Sequence, residues 1–478
     1  MKNGAAPAVD DRPYRRLSPL TPLVRSFIVV VAMVATSWDD LLRGDLGPLG
    51  WILLTLLIGG GIYGTASWLR TKYRIEGDEL RVDTGVISRQ SRRIRVDRLQ
   101  GIDIVQPFVA RLFGLAELRM DVAGGSAREG SLAFMSLGEA RELKDMLLAR
   151  RDAVRAERTR AATGPGTGPA QPTMVRPTTP PEPDRLLARV DLQVLVLSIL
   201  LSGETFAFLI AAAVFGAGFL LTGQWAGLAT VVPVLGGFVL VGFRRLTGYY
   251  NFTVSQTAAG MQVRRGMFEL TSQTISLPRL QGVVVSEPLL WRHFGWARLD
   301  VSIAGYASGD DERRSPSIVM PVGDRGLVLQ LARHMLDGAD PGQVALSGPP
   351  RSSRWLDPVG WRFRHLGTDA AFVVTREGWF TRRTHVVPHA RVQSLRVSQG
   401  PLQRALGLAD LHVDSPPGPV NVRARHRSSS EVRRLLEQEV VVSREARAAL
   451  DRERSLPPRQ PTSQDSGGST PPEADTIQ

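Results

Sequence analysis

Two hydrophobic patterns divide this chain. One is the continuous apolar run, found at residues 23–38, 49–69, 192–221 and 226–243. About 20 apolar residues suffice to cross a hydrocarbon core of roughly 30 Å as a helix. The runs therefore predict two helical hairpins, residues 23–69 and 190–243. The other pattern is alternation. Ile102 with Ile104, Val283 with Val285 and Leu395 with Val397 place apolar side chains at every second position. The period resumes at Leu118, Met120 and Val122, at Leu299, Val301 and Ile303, and at Leu411 and Val413. Period two predicts strands with one buried face.

The alternating segments belong to a box that occurs three times without a gap: RLQGIDIVQPFVARLFG at 98–114, RLQGVVVSEPLLWRHFG at 279–295 and RVQSLRVSQGPLQRALG at 391–407. Its shared positions are Arg98, Arg279 and Arg391; Gln100, Gln281 and Gln393; Gln106, Glu287 and Gln399; Arg111, Arg292 and Arg404; and Gly114, Gly295 and Gly407. A repeat of this kind sets the architecture before any other reading. Pro107 and Pro288 sit where a helical turn starts, a place that tolerates proline's missing N–H and fixed φ. The three glycines fall where a left-handed residue ends that turn. Each box thus reads as strand, single helical turn, strand. Upstream, Gly85, Gly266 and Gly378 each stand nine residues before Ile94, Ile275 and Val387. Downstream, each copy has another strand and a helix. Ser136 and Glu139 form a capping box before Ala140, Leu143, Met146 and Leu147, and the later helices carry Leu327, Leu331 and Met335, then Val432, Leu435 and Leu436.

These signals give an N-terminal segment 1–22, hairpin 23–69, β-rich unit 70–154, a Thr/Pro/Gly/Ala linker 155–184, hairpin 190–243, a second unit 244–338, a linker 339–358, a third unit 359–452 with no hairpin, and a polar tail 453–478 of disordered composition. The first run spans only if counted from Leu20, with Arg25 snorkelling to the interface. A secretory signal is disfavoured, because no small-residue cleavage site precedes the second run. Arg12, Arg15, Arg16 and Arg25 precede the first hairpin and Arg70, Lys72 and Arg74 follow it; Arg185 and Arg189, then Arg244 and Arg245, flank the second. By the positive-inside rule this is a four-span protein of the cell membrane with both termini and all three units in the cytoplasm. The run 192–221 is long for one span, which implies tilt, a kink near Gly203 or an interfacial first part. Glu204 inside it reads either as a functional carboxylate facing the bundle or as a residue at a wet kink.

Composition narrows the chemistry. There is no cysteine, which excludes disulfides, thiolate metal sites and cysteine nucleophiles. A net charge of +13 points to an anionic partner, either nucleic acid or a membrane face. No aromatic-rich single-strand platform accompanies the charge, so nucleic acid is not expected. His385 and His389 are four apart but fall in a strand-and-turn region; Asp310, Asp311 and Glu312 read as a loop tip. No Ser-His-Asp order, H-E-x-x-H or phosphate loop is present. We expect no catalytic residue, cofactor or metal. The repeated Arg98, Arg279 and Arg391 with Gln100, Gln281 and Gln393 read as structural groups bonding backbone carbonyls, against the alternative of lipid-phosphate contacts. Lipid-contact candidates are Lys72, Arg74, Arg92, Arg93, Arg95, Arg244 and Arg245, near the expected membrane exits.

Three strand-rich units carrying R-[LV]-Q-[GS] and the downstream glycine, each closed by a helix, with hairpins before the first two, resemble the bacterial pleckstrin-homology (PH) membrane proteins of the YdbT-like type. The resemblance covers roughly residues 20–450. It implies α-helical membrane hairpins plus three β-rich PH-like domains, each a seven-stranded barrel in two orthogonal sheets capped by a C-terminal helix. The third copy departs from the pattern, with Gly400 for proline and Ser394 for glycine. PH-like folds host lipid binding, peptide binding and scaffolding, so fold alone does not name an activity. The expected function is a non-enzymatic multi-pass scaffold in envelope maintenance, presenting its PH-like domains for protein assembly and anionic-lipid contact. Its expected partners are the anionic bilayer and other membrane proteins or further copies of itself. The alternative is a component of a membrane transport or export system, for which four spans make a poor conduit.

Overall fold

Local chain chemistry repeats itself three times in the computed structural model, which describes residues 15–16, 48–84, 90–122, 131–162, 185–222, 225–257, 260–304, 318–416 and 418–455. In the first unit β1 (Arg15–Arg16) and helix α1 (Pro48–Arg70) precede β2 (Lys72–Glu76), β3 (Glu79–Thr84) and β4 (Gln90–Arg95). A 3-10 corner (Val96–Arg98) then leads to β5 (Leu99–Pro107), the short turn α2 (Phe108–Leu112), β6 (Leu115–Val122), β7 (Ser131–Ser136) and the closing helix α3 (Leu137–Ala162). The second unit opens with β8 (Arg185–Arg189), α4 (Leu192–Leu200), α5 (Gly203–Thr222) and α6 (Trp225–Tyr249). It continues with β9 (Thr253–Thr257), β10 (Gly260–Arg265), β11 (Glu269–Ile275), β12 (Leu280–Pro288), the turn α7 (Leu289–His293), β13 (Trp296–Ile303), β14 (Ile318–Asp324) and α8 (Arg325–Met335). The third runs β15 (His365–Thr368), β16 (Phe372–Glu377), β17 (Thr381–Pro388), β18 (Ser394–Ser398), α9 (Pro401–Ala405), β19 (Leu408–Asp414), β20 (Val422–Ser428) and α10 (Ser429–Ser455).

The apolar helices leave each sheet between its first and second strands. Arg15 of β1 lies opposite Tyr73 of β2, and Arg185 of β8 opposite Gln256 of β9, so strands on both sides of each helical excursion share one sheet. Sequence reading began the second unit at residue 244 and missed β8, whose few residues merge into the apolar run that follows. In the third unit Ser347 makes the matching bridge to Leu366. Its excursion is only the two 3-10 turns Arg351–Trp355 and Gly360–Phe363. Residues 339–358, expected as a linker, are partly packed: Val344 joins the core of the second unit, and Arg333 holds Asp340 at 2.5 Å. Helix α3 runs to Ala162, into the other expected linker.

The first two units each contain seven strands, but the expected closed barrels do not form. The sheets run instead from one unit into the next: β7-β6-β5-β11-β10-β9-β8, then β14-β13-β12-β17-β16-β15, with β1-β2-β3-β4 at one end and β18-β19-β20 at the other. The signature strand places its outer edge against the following unit, since the 3-10 corner before it turns the chain out of its own first sheet. Cores follow the strands. Val284 packs with the third unit's core, while Phe372, Val374 and Val386 pack with the second's.

The three signature glycines adopt φ of 66°, 67° and 66°, the left-handed region that excludes most side chains. Each carbonyl accepts the first N–H of its closing helix: Leu137 at 3.0 Å, Arg325 at 2.8 Å and Ser429 at 2.9 Å. One residue thus ends the helical turn and seats the cap helix.

Of the two expected hairpins, residues 23–47 lie outside the described residues. Among the described residues no single helix is long and apolar enough to cross a membrane. The pair Leu192–Leu200 and Gly203–Gly218, bent by 44°, meets that requirement together. Leu195 of α4 is buried in the second unit's core, so the first part of the long apolar run serves the β unit. Ser202 caps α5, its Oγ accepting from Thr205 N–H at 3.3 Å, and the Thr205 hydroxyl donates at 2.6 Å to the Ile199 carbonyl, which also accepts from Ser202 N–H at 3.2 Å.

Candidate functional site

The repeated Gln/Glu braces the helical turn. Gln106 Nε2 donates to Leu115 O at 3.1 Å and Gln399 Nε2 to Leu408 O at 2.7 Å, across the turn that the glycine ends. Glu287 has no proton to donate. Its buried carboxylate instead accepts from Arg325 Nε and Arg382 Nε, both at 2.8 Å, and Arg382 belongs to the third unit. The local brace has become an ion cluster that fastens two units.

The first signature arginines do not share one task. Arg98 is exposed, Arg279 donates to Ala304 O, and Arg391 reaches into the second unit to Pro278 O at 2.7 Å. Gln281 Nε2 donates to Arg279 O at 3.1 Å, and Gln393 uses its backbone N–H to Asp414 O at 3.0 Å. The second arginine is more regular. Arg111 lies 3.5 Å from Met267 O and Arg292 2.5 Å from Trp379 O, each pointing at the tight turn of the following unit.

Those tight turns carry exposed apolar pairs, Met267-Phe268 and Trp379-Phe380, after Gly266 (φ 112°) and Gly378 (φ 95°). A Cβ at either glycine would collide with the carbonyl of Glu269 or Thr381. The preceding helical turns carry exposed apolar residues of their own: Phe108, Leu112 and Phe113 at the first seam, Leu289, Leu290 and Phe294 at the second. The Phe108 and Phe268 rings are 6.1 Å apart, edge to face, and Leu289 N–H donates to Phe380 O at 2.6 Å.

Both seams are tied to the same end of the apolar helices. At the first, Gly266 N–H donates to Tyr250 O (2.9 Å) and Met267 N–H to Thr247 O (2.8 Å), at the C-terminus of α6, and Phe268 lies 6.2 Å from Phe243. At the second, Trp291 Nε1 donates to Ser198 O at 3.1 Å, beside the break between α4 and α5. Arg245 of α6 and Glu204 of α5 close the set at 2.7 Å. In the third unit the excursion joins from its own side, with Phe363 and Trp379 rings 6.4 Å apart, Arg354 stacked on Trp355, and Trp355 and Val359 exposed. Sequence reasoning missed this surface. Its signal was a glycine followed by two apolar residues where a turn should be polar: Gly85-Val86-Ile87, outside the described residues, Gly266-Met267-Phe268 and Gly378-Trp379-Phe380.

The basic residues proposed from sequence do not gather into one site. Arg92, Arg93 and Arg95 lie on β4 with exposed side chains, Arg92 bonding Gln90 and Arg95 bonding Asp97, each at 3.2 Å. Arg74 pairs with Glu76 next to Lys72 on β2. Arg244 and Arg245 sit near the end of α6, among the apolar turns. A cleft of about 170 Å³ between Phe363, Arg364, Glu377 and Arg383 is below the usual several-hundred-Å³ range of small-molecule pockets. Among the described residues no three His, Asp or Glu side chains converge as a metal site would need.

His385 and His389 face different partners. Burial and the neighbouring Arg383 push His385 down to about 4. Its Nδ1 accepts from Asn421 N–H at 3.2 Å, while Glu377 at 3.9 Å from Nε2 is too distant to reverse the effect. For His389 burial acts downward, but Glu439 at 2.7 Å from Nδ1 and the Asp369 carbonyl at 2.8 Å from Nε2 raise it overall. With acceptors on both nitrogens the imidazolium donates twice and pins α10 to the corner before β18.

Two three-stranded meanders and one closing helix, three times over, with an added first strand in the first two units and a single bridge in its place in the third, define a PH-type β unit, carried in the first two on apolar helices. The chain belongs to the bacterial PH domain family, which it matches over residues 26–151, 197–339 and 343–439. It is similar to the UPF0699 transmembrane protein YdbT of Bacillus subtilis (strain 168), with 23% identity over 289 residues, 53% of this chain and 54% of that protein. The match thus spans about half the length of that relative. No solved structure matches the chain.

Glu287→Ala should destabilise the chain more than Glu287→Gln, which restores the amide brace of the other units. With both arginines partly solvated, the alanine cost is about 1–3 kcal/mol, read as a lower melting temperature. Glu287→Gln should itself melt below the wild-type chain, because it keeps a brace but loses the charge that Arg325 and Arg382 share; a Gln variant as stable as the wild type would rule the ion cluster out.

His385 sets an acid limit. Between about pH 6.5 and 4 the unfolded chain binds a proton that the folded chain refuses, so stability falls as pH drops through that window, by about 3 kcal/mol in full. His385→Asn should flatten the fall in melting temperature over this range; an unchanged slope would contradict the assignment.

Proposed function

We propose that this chain is a non-enzymatic, multi-pass membrane scaffold whose PH units lie against the cytoplasmic leaflet and present their outer faces for assembly. The observation that carries this reading is the row of exposed apolar turns fixed by hydrogen bonds to the ends of the apolar helices. Support also comes from the third unit, where the segment matching the membrane excursions of the other two is short but keeps Trp355 and Val359 outward among Arg351, Arg354 and Arg362. Aromatic residues with neighbouring arginines suit the headgroup level. The relative's description as a transmembrane protein supports membrane association, and the positive flanks are the argument for four spans with cytoplasmic ends.

Magnitudes decide which contact dominates. Fully burying a large apolar side chain stabilises by about 1.5–3 kcal/mol. A basic side chain beside an anionic leaflet contributes about 1 kcal/mol, and salt screens it. The apolar turns therefore anchor, and Arg244 with the arginines of the third excursion assists. Glu204, the carboxylate that would speak for the transport alternative, pairs with Arg245 across α5 and α6 at 2.7 Å.

Because the chain has no native cysteine, Trp355→Cys and Phe380→Cys can each carry a single nitroxide in the full chain reconstituted in liposomes. Both positions are exposed, at 73% and 62%. We expect each label to be reached more readily by oxygen than by a water-soluble nickel chelate, and to stay so at high salt. Labels that respond as fully aqueous sites would overturn the membrane-contact reading.

A further inference from the structure

Both seams obey one register. The residue seven positions after a signature arginine pairs with the residue eight positions before the next: Val105 with Thr271, and Ser286 with Arg383. Equivalent strands thus meet in the same alignment twice, although only β17 carries an arginine for Glu287. The contact is a property of the repeat, and each unit has a donor edge (β5, β12, β18) and an acceptor edge (β4, β11, β17).

The third unit holds its donor edge open. Among the described residues β18 ends its sheet and pairs with β19 alone. Val397 is 43% exposed, where its counterparts Ile104 and Val285 are buried. Leu402 on the helical turn behind it is 69% exposed. Arg404, counterpart of Arg111 and Arg292, is exposed, and its guanidinium has no hydrogen bond or ion pair among the described residues. At the other end, β4 terminates the first sheet among the described residues and is the remaining counterpart of β11 and β17.

We propose that β18 of one chain pairs antiparallel with β4 of a second copy, Ser398 opposite Gln90, so that copies join head to tail by the contact that already joins units within the chain. Such a contact is heterologous: repeated, it closes a ring or extends a filament along the membrane. Unsatisfied strand edges are templates for this kind of addition. In this register Arg396 meets Arg92, and Asp414, 3.3 Å from Arg396, supplies the compensating charge. The inference deepens the scaffold reading by naming its partner, and it is scored independently of the depth of the nitroxides.

Two differently tagged full-length chains, one Ser398→Cys and the other Gln90→Cys, would be co-expressed and oxidised in native membranes. Both positions are exposed, and among the described residues each substitution removes one surface bond only, Ser398 to His412 or Arg92 to Gln90. Cross-strand neighbours stand about 4.5–5.5 Å apart at Cα, within disulfide reach. A mixed-tag disulfide dimer is expected from the pair and none from either chain alone, with loss of yield when Arg404→Ala is added. Absence of the mixed dimer, links between like cysteines only, or a Ser398→Cys/Gln90→Cys double variant that links solely within itself would each overturn the proposal.

Discussion

The outer edge of the signature strand is the constraint on which this protein depends. A strand whose backbone groups are buried must pair them, because an unpartnered N–H or carbonyl away from water costs about as much as a lost hydrogen bond. β5 and β12 are buried along much of their length, and the 3-10 corner before each turns the chain away from its own first meander. The next unit supplies the missing edge. From this follow the continuous sheets, the exchange of core residues between the second and third units, and the replacement of Gln by Glu287 where an arginine of the neighbour can be held.

Pairing between units also fixes what faces the helices. Each seam brings a helical turn with outward apolar residues against a tight turn with two more, and backbone bonds to Thr247 and Tyr250, with the Trp291 bond to Ser198, set both groups at one end of α5 and α6. Helices and sheets are therefore not separate modules in series. The apolar segments are excursions from the sheet, and the β units hold their bases together.

Much of this was legible from residues alone. Alternation and the R-x-Q box located β5, β12 and β18, the three glycines marked the left-handed ends of the turns, and Ser136 with Glu139 announced the helix they cap. What the period could not reveal was partnership. Alternation says that a strand has a buried face and leaves open which strand lies beside it, so single barrels were expected where shared sheets occur. β8 was hidden because its apolar residues adjoin a much longer apolar run. The search for function followed charge to Arg92, Arg93 and Arg95, whereas the surface with a fixed relation to the helices is apolar, and the sequence marks it by hydrophobic pairs after glycine in turns.

The most direct test of the account is amide hydrogen exchange on the full chain, comparing residues 283–287 and 382–386 at the second seam with residues 395–398 of β18. Shared sheets predict that the seam amides are protected as strongly as those of the β12–β13 ladder, while β18, open on one edge in an unassembled chain, exchanges faster. Seam amides that exchange at the rate of β18 under the same conditions would contradict the shared ladder and return the units to independent barrels.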